Sequence, residues 1–253
     1  KIINFCEKKN INFIDTAAGY GNSEEIIGSI TNKKWKIITK LPLLKSNNYL
    51  KLKKDIFRYV SLSLSKLKIN NIYGILLHEE KQLLFKNGIY IYKILKELKK
   101  KKIIKYFGVS FYSRDILINT IKNYKLDIVQ IPMNYINNEF HDIKTLKKIK
   151  NKVKKIHVRS VFHQGLLLNP KIKSNKIRKY KKYIQYLKQW HFNKKYSHIE
   201  SALNFFKSYK YIDAFVIGIN SSEDLIEILN CKKRKIHEFP KINDKKFVDL
   251  RNI

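Results

Sequence analysis

The chain has 253 residues, 44% of them hydrophobic, with a formal net charge of +34. This composition supports a substantial core and excludes a chain that is disordered throughout. Its two cysteines, Cys6 and Cys231, exclude a disulfide scaffold and a cysteine-rich zinc site. The sequence has no apolar run long enough to span a membrane, and its polar N-terminal segment does not resemble a signal peptide. A cytoplasmic protein is therefore expected by default.

The positive charge comes almost entirely from lysine, because only six of the 54 basic residues are arginine. Lysine is accompanied by abundant Ile and Asn, a combination typical of A/T-rich coding sequences. Phosphate-recognition surfaces favour Arg, whose planar guanidinium pairs with two oxygens at once. We therefore interpret the charge mainly as codon bias and expect no specific nucleic-acid partner and no membrane partner. Any binding to DNA or RNA should be electrostatic and should collapse as salt is added.

Seven short and mostly apolar runs are typical of parallel strands buried on both faces. In chain order, these predicted strands are Ile11–Ala17, Lys36–Leu41, Tyr73–His78, Tyr106–Phe111, Ile128–Met133, Ile156–Val161 and Ala214–Ile219. Longer segments with helical patterns lie between them. These predicted helices are Ser23–Ile30, Tyr49–Leu67, Gly88–Lys102, Arg114–Asn123, Asp142–Lys154, Ile177–Trp190, Ser197–Ser208 and Ser222–Asn230. The alternation of strand and helix predicts the α/β class with a parallel sheet.

Two of the predicted helices carry clear local signals. Ser23 is followed by the acids Glu24 and Glu25, which is typical of a helix N-terminus. In the segment Tyr49–Leu67, apolar side chains recur at helical spacing and predict one buried face. The residues of that face are Leu50, Phe57, Val60, Leu64 and Leu67.

A (β/α)8 TIM barrel fits the alternation better than an open sheet, because polar residues cluster where the predicted strands end. We expect residues 1–253 to form a single barrel domain. Only seven of the eight strands are predicted, so the first strand is expected to be missing upstream of Lys1 and the domain to be N-terminally incomplete. The segment Lys171–Lys195 alternates Lys and Tyr, so a loop stays possible there beside the predicted helix.

Four polar side chains with complementary chemistry lie at the ends of the first three predicted strands. They are Asp15, Tyr20, Lys40 and His78. Strand C-termini converge on one face of a barrel, so we expect them to share one pocket. A phenol has a pKa near ~10, and a neighbouring ammonium lowers it by favouring the phenolate. A carboxylate can orient the ammonium, and a neutral imidazole can hydrogen-bond a carbonyl. The set indicates carbonyl reduction.

The segment from Asn10 to Gly28 resembles the first signature of the aldo-keto reductase superfamily, with Gly-Tyr-Gly and Ser-Glu-Glu-Ile-Ile-Gly in the expected order. Similar segments follow in order along essentially the whole chain, at Tyr106–Ser110, Val129–Asn134, Val158–Leu167 and Val216–Gly218. The resemblance implies an oxidoreductase that transfers a hydride between a nicotinamide cofactor and an aldehyde or ketone. The softer similarity to bacterial members beside surface-sugar biosynthesis adds sugar-derived carbonyls to the candidate substrates.

The same resemblance implies a role for each of the four polar residues. Tyr20 would be the general acid, and Lys40 the neighbour that lowers the pKa of its hydroxyl. Asp15 would pair with Lys40, and His78 would orient the substrate carbonyl. All four residue types match the family's catalytic tetrad.

The resemblance also implies a bound NADP(H) or NAD(H) that lies extended across the barrel mouth, without a Rossmann domain. In agreement, the eight Gly residues form no GxGxxG motif. Ser110 and Gln130 would bind the nicotinamide carboxamide, and Arg159 takes the place of an aromatic that stacks on the nicotinamide in many members. The other implied contacts are Ser160 and Gly165 at the pyrophosphate, and Gly218 and Ser222 at the adenosine-phosphate end, where helix N–H groups bind anions.

Two departures from the family pattern concern the cofactor. Phe111 stands where the family often has an Asn that contacts the carboxamide. Many members bind the 2′-phosphate of NADP(H) through Lys, Arg and Asn side chains. The matching positions here carry Gly218, Asp224 and Ile228. An acid there disfavours NADP(H) unless Lys232 or Lys233 compensates, so we expect only a weak preference between the two cofactors.

Other classes of protein fit less well. Short-chain dehydrogenases use Tyr-x-x-x-Lys, which occurs at Tyr49/Lys53 and Tyr92/Lys96, but no Gly-rich phosphate turn accompanies these pairs. A nucleic-acid module would need stacking aromatics beside its lysines, and only Tyr180, Tyr183 and Tyr186 come close. The other histidines lack metal-ligand spacing, so no metal is expected. A non-catalytic binding or regulatory protein on the same barrel remains the alternative, since fold does not determine function.

Overall fold

A computed structural model describes residues 2–31, 35–168, 178–249 and 251. Within them the strands are β1 Phe13–Asp15, β2 Lys36–Leu41, β3 Ile72–Leu77, β4 Ile104–Ser110, β5 Ile128–Pro132, β6 Lys155–Arg159 and β7 Ala214–Phe215. The helices are α1 Ile2–Lys8, α2 Ser23–Ile30, α3 Tyr49–Leu67, α4 Gly88–Lys100, α5 Arg114–Asn123, α6 Ile143–Lys150, α7 Lys181–Lys194, α8 His198–Asn204, α9 Ser222–Leu229 and α10 Lys245–Val248. Short 3-10 turns lie at Gln82–Leu84 and Phe205–Ser208.

The predicted strands and helices occur in the predicted order. β2, α2, α3 and α5 have the predicted bounds. β1 and β7 are shorter than predicted, because the apolar runs that suggested them extend beyond the strands, toward a turn after β1 and into irregular backbone after β7. The Lys/Tyr-rich segment forms helix α7 over Lys181–Lys194, while residues 169–177 lie outside the described part of the chain.

The strands form one sheet in which their order follows the chain from β1 to β7. β1 to β5 pair in parallel, and their registers join Asp15 to Ile38, Lys40 to Leu76 and Ser110 to Gln130. Strands that run parallel and adjacent in chain order place all their carboxyl ends at one edge. The sequence-predicted polar residues therefore come to the same edge of the sheet.

The chain divides into two compact units. Unit 1 contains Lys1–Ile131 and Lys147–His157, and unit 2 contains Pro132–Leu146 and Val158–Ile253. We describe each unit separately. None of the helices in the described parts of either unit has both the length and the hydrophobicity that a membrane crossing requires.

Helix α3 shows how the apolar pattern produces packing in unit 1. It begins after Asn48, whose side chain accepts a hydrogen bond from Lys51 N–H, and ends at Lys68 in the left-handed conformation (φ 53°). Its buried face consists of Leu52, Ile56, Val60, Ser63 and Leu67. Leu50 was wrongly assigned to that face, because it is 74% exposed. It lies two residues before the buried Leu52, which places it about 200° around the helix from that residue.

Gly108 in the middle of β4 is required by a close approach between neighbouring strands. A Cβ atom at this position would lie 1.7 Å from the Ile128 carbonyl oxygen of β5. Because that oxygen belongs to the backbone, the clash cannot be relieved by turning a side chain. The glycine therefore allows β4 and β5 to pair where Ser110 and Gln130 sit side by side.

Unit 2 has a buried polar centre built on Asn134, which follows β5. Its Oδ1 accepts from the N–H groups of Ile136 (3.1 Å) and Asn137 (2.9 Å), and its Nδ2 donates to Ser160 O (3.0 Å). The same Nδ2 lies 3.3 Å from Nδ1 of His163, whose Nε2 lies 3.1 Å from Phe247 O. Since an amide N–H can only donate, Nδ1 of His163 must accept and Nε2 must carry the proton. This geometry requires a neutral imidazole.

Acid is therefore expected to destabilise unit 2 through His163. Burial lowers the pKa of His163 from 6.5 to about 4. Above pH 6.5 the residue is neutral in both the folded and the unfolded chain, so the stability is complete there. As the pH falls from about 6.5 to about 4, the unfolded chain binds the proton first and stability is lost. Denaturant unfolding measured between these limits should show a smaller slope of stability against pH in His163→Gln than in the wild type. Equal slopes would contradict the prediction.

Candidate active site

The core of the candidate site is an ion pair between β1 and β2. Lys40, only 3% exposed, forms it with Oδ1 of Asp15, the last residue of β1. The Lys40 ammonium also donates to the backbone oxygen of Thr16 at 2.9 Å. A buried ammonium needs such partners, because the loss of its hydration is costly. Asp15 therefore keeps Lys40 charged and holds it in one position.

Tyr20 and His78 lie beside this pair. The Lys40 Nζ atom is 5.4 Å from the centre of the Tyr20 ring, and the His78 ring meets that ring edge-on with 5.9 Å between centres. Tyr20 is 49% exposed, so a small molecule can reach it. The structure thus brings together all four residues that the sequence singled out as a catalytic set.

The turn that carries Tyr20 is anchored by polar contacts that sequence reasoning missed. Ala18 N–H donates to Lys40 O at 3.2 Å, which ties the turn to β2. Glu24 in the first turn of α2 was interpreted as a helix-start acid, but it is buried and accepts from the Thr39 hydroxyl at 2.7 Å. Nothing in the local sequence distinguishes Glu24 from the exposed Glu25. The difference arises only from the contact between α2 and β2.

Ser110 and Gln130 lie side by side on β4 and β5, as their predicted shared function requires. The Ser110 hydroxyl donates to Gln130 Oε1 at 3.4 Å, and Gln130 Nε2 donates to Asp15 Oδ2 at 2.7 Å. Phe111, which replaces the family's usual Asn, is fully buried. A hydroxyl beside an amide offers both donors and acceptors, so this pair fits a carboxamide group even without the Asn.

Glu80, two residues after His78, is a further residue that the sequence did not reveal. It is buried, and its Oε2 accepts from the N–H groups of Tyr112 at 2.7 Å and Ser113 at 2.8 Å. The carboxylate thereby ties the loop after β3 to the loop after β4. These two loops carry the predicted carbonyl-orienting and carboxamide-binding residues.

The other candidate cofactor residues belong to unit 2. Arg159 ends β6 and donates from Nη1 to the Ser160 hydroxyl at 3.3 Å. Ser160 has a left-handed backbone (φ 59°), as do His163, Gln164 and Gly165, the last with φ 84°. The bond from Asn134 to Ser160 O holds the beginning of this tight turn. Such positive φ values in non-glycine residues are uncommon, and they cluster at functional sites.

Helix α9 begins at Ser222, as predicted. Ser221, not Ser222, is the N-cap, and its hydroxyl accepts from Asp224 N–H at 3.0 Å. In turn, the Asp224 carboxylate accepts hydrogen bonds from the N–H groups of Ser221 and Asn220, both at 3.2 Å. Ser222 is the first helical residue, and Gly218 lies in open space. A carboxylate of the chain itself therefore occupies N–H groups that would otherwise bind an anion.

Unit 2 also has an open cavity of about 710 Å³ near the other end of α9. It is lined by Lys195, Ser197, Ile199, Glu200, Glu223, Ile226, Glu227, Asn230, Cys231, Lys232 and Arg234. Lys232 is in this lining, whereas Lys233 and Asp224 are not. Across the described ranges, no group of three or more His, Cys, Asp or Glu side chains could hold a metal ion.

Comparisons with known proteins identify the family and the fold of the chain. A family model described as "Aldo/keto reductase family" matches residues 1–244. The chain is similar in structure to aldo-keto reductase AKR11C1 from Bacillus halodurans in its apo form, with a TM-score of 0.70, 16% identity and coverage of 99% of this chain and 84% of that chain. It is also similar to the thermostable aldo-keto reductase Tm1743, with a TM-score of 0.65, 18% identity and coverage of 98% and 85%.

A search of curated proteins gives no match. The solved structures confirm the predicted α/β barrel class, of which the described residues supply seven strands. The family match covers nearly the whole chain and spans every segment that carries the catalytic set. The chain therefore belongs to the aldo/keto reductase family, whose activity is NAD(P)H-dependent oxidation and reduction at carbonyl groups.

Proposed function

We propose that this chain reduces small aldehydes or ketones, and oxidises the matching alcohols, with Tyr20 as the general acid. The observation that carries the proposal is the packing of Tyr20 against both Lys40 and His78, with Asp15 behind Lys40. A tyrosine that is half exposed beside a buried, paired ammonium suits proton transfer to a bound substrate. Sugar-derived carbonyls are among the substrates that this chemistry accepts.

In the proposed mechanism, a bound reduced nicotinamide supplies the hydride that the carbonyl carbon accepts. Tyr20 donates its hydroxyl proton to the carbonyl oxygen as negative charge develops there. The Lys40 ammonium stabilises the phenolate that remains, and Asp15 keeps that ammonium in place. His78 hydrogen-bonds the carbonyl oxygen and thereby fixes its direction toward the Tyr20 hydroxyl.

The residues fit a nicotinamide cofactor, and we assign its contacts as follows. Ser110 and Gln130 hold the carboxamide, since their hydroxyl and amide supply complementary donors and acceptors. Arg159 lies at the nicotinamide, in place of the aromatic that stacks on it in many family members. Ser160 and Gly165 hold the pyrophosphate, in support of which the turn after β6 contains several residues with positive φ. Gly218 and Ser222 face the adenosine-phosphate end.

The activity is tested by following the loss of reduced-nicotinamide absorbance with an activated aromatic aldehyde. The expected result is steady turnover with either NADPH or NADH. A sugar aldehyde in the same assay tests the narrower substrate class. Tight cofactor binding without turnover on any carbonyl would instead support the non-catalytic alternative.

The preference between cofactors is expected to be weak, with NADPH and NADH binding within about tenfold of each other, or about 1.4 kcal/mol. Asp224 repels a 2′-phosphate, and its carboxylate already accepts from Asn220 and Ser221. The positive end of α9 opposes this repulsion by only ~1 kcal/mol. Titration of both cofactors by quenching of protein fluorescence measures the ratio.

Asp224→Asn keeps an oxygen that can cap the helix and removes only the charge, so it should shift the ratio severalfold toward NADPH. Glu223→Gln is the matched control, since it removes the same charge from the same turn. An equal shift in both variants would show that the cofactor preference responds to the overall charge of the chain rather than to Asp224. A wild-type preference for NADPH of about a hundredfold or more would contradict the prediction and point to Lys232 or Lys233.

A further inference from the structure

Gln130 reaches across unit 1 to the catalytic ion pair. It lies on β5 and is fully buried, and its Nε2 donates to Asp15 Oδ2 of β1 at 2.7 Å. Three strands separate β1 from β5 in the sheet order, so this bond crosses the face onto which the sheet curves. Within the described residues, β1 is an edge strand of only three residues. Its last side chain therefore receives support from the opposite side of the unit.

The two oxygens of Asp15 have different partners. Oδ1 pairs with the Lys40 ammonium and Oδ2 accepts from Gln130. A carboxylate that is held at both oxygens cannot turn without breaking one bond. Gln130 is itself held, because its Oε1 accepts from the Ser110 hydroxyl and its backbone oxygen accepts from Phe111 N–H at 2.7 Å. A continuous chain of polar contacts thus leads from Ser110 to Lys40.

We propose that Gln130 is a positioning residue for the general acid: by fixing Asp15 it fixes the Lys40 ammonium that faces the Tyr20 ring. This inference rests on the proposed function. The charged and titratable groups that reach Tyr20 are Lys40 from β2, His78 after β3 and, through Lys40, Asp15 from β1. Gln130 contributes no charge of its own, so it acts only through the orientation and the charge balance of Asp15.

Loss of the Gln130 amide should shift the titration of the Tyr20 hydroxyl in one direction. Without that N–H, the Asp15 carboxylate is less neutralised and no longer holds the Lys40 ammonium in place against the Tyr20 ring. Both changes weaken the stabilisation of a Tyr20 phenolate, so the Tyr20 hydroxyl should titrate at a higher pH, by about half a pH unit or more. Because carbonyl reduction needs the protonated hydroxyl, the loss of activity at high pH should move upward with it.

The test compares Gln130→Met with the wild type. Tyr20 is one of 16 tyrosines, so its titration is isolated by subtracting the tyrosinate absorbance of the matching Tyr20→Phe variant at each pH. The titration is made on the cofactor-free protein, which separates positioning from carboxamide binding. In Gln130→Met we expect the midpoint of the Tyr20 titration to rise. The decline of kcat at high pH should shift to higher pH as well. An unchanged midpoint would overturn the proposal, even if activity falls.

Gln82→Met is the matched control. Gln82 is another buried glutamine of unit 1, and it makes two hydrogen bonds with the backbone of Leu44 at 3.0 and 2.9 Å. Its loss should lower stability and leave the Tyr20 midpoint unchanged. If Gln130→Met fails to fold, Gln130→Leu gives the same test, since it also removes the amide N–H and adds no charge. A raised midpoint with full activity in Tyr20→Phe would support the positioning role and reject the proposed acid.

Discussion

Replacement of Tyr20 with Phe is expected to abolish nearly all carbonyl reduction while cofactor binding is retained. The ring and its contacts with Lys40 and His78 remain, so the substitution removes only the hydroxyl. A positioned general acid contributes about two to four decades of rate. Each decade corresponds to about 1.4 kcal/mol of activation barrier. The measurement is kcat with a reactive aldehyde at saturating cofactor, together with the Kd of the cofactor.

Tyr186→Phe serves as the control, because Tyr186 is an exposed tyrosine of α7. It should leave kcat within the error of the assay. Retention of more than about a tenth of wild-type kcat in Tyr20→Phe, which is a loss of less than one decade or about 1.4 kcal/mol of barrier, would refute the assignment of the acid. A matching loss of cofactor affinity would show instead that the hydroxyl acts in binding.

The second large effect is expected for Gly108→Ala, which adds a single methyl group to β4. That methyl would lie 1.7 Å from the Ile128 carbonyl oxygen, so the two strands must separate or shift. Overpacking in a core costs up to about 3 kcal/mol, and more where backbone must move. For a chain of this size, such a loss lowers the unfolding temperature by roughly 5–10 °C.

Gly19→Ala is the matched control, since a Cβ at Gly19 meets no atom within 4 Å. Thermal unfolding of both variants separates the clash from the general effect of adding a methyl group. A difference of less than about 1 kcal/mol between them would show that β4 and β5 accommodate the methyl without strain. Because Ser110 and Gln130 follow directly, the damaged variant should also bind cofactor more weakly.

The sequence predicted the strand–helix order and the meeting of Asp15, Tyr20, Lys40 and His78, because both depend on short-range signals. An apolar run predicts a strand, and the next polar residue then lies at the edge of the sheet. The short β1 and β7 show where such runs mislead, since an apolar run can extend beyond the last residue of a strand. Leu50 was misplaced because the buried face of α3 follows the helical phase of Leu52 and not that of Leu50.

Contacts between segments distant in the chain could not be predicted in this way. Gln130 bonds to Asp15 across 115 positions, and no spacing rule connects the two. Glu and Asn are mostly found at protein surfaces. The burial of Glu24, Glu80 and Asn134 depends on partners from other strands and loops. The helix start at Ser222 was predicted, but the bonds from Asn220 and Ser221 N–H to the Asp224 carboxylate were not, because no local signal reveals them.

The burial of Lys40 distinguishes the lysine that we propose acts in catalysis from the many other lysines of the chain. With 3% exposure and an ion pair of its own, its charge is shielded from solvent and from reagents that acylate amines. Surface charges more than about 8 Å away are largely screened at physiological salt. Exposed lysines can therefore be added, modified or replaced with little effect on the electrostatic potential at Tyr20. Under the proposed function, a net charge of +34 is compatible with catalysis because the chemistry depends on one buried ammonium that is shielded from the surface charges.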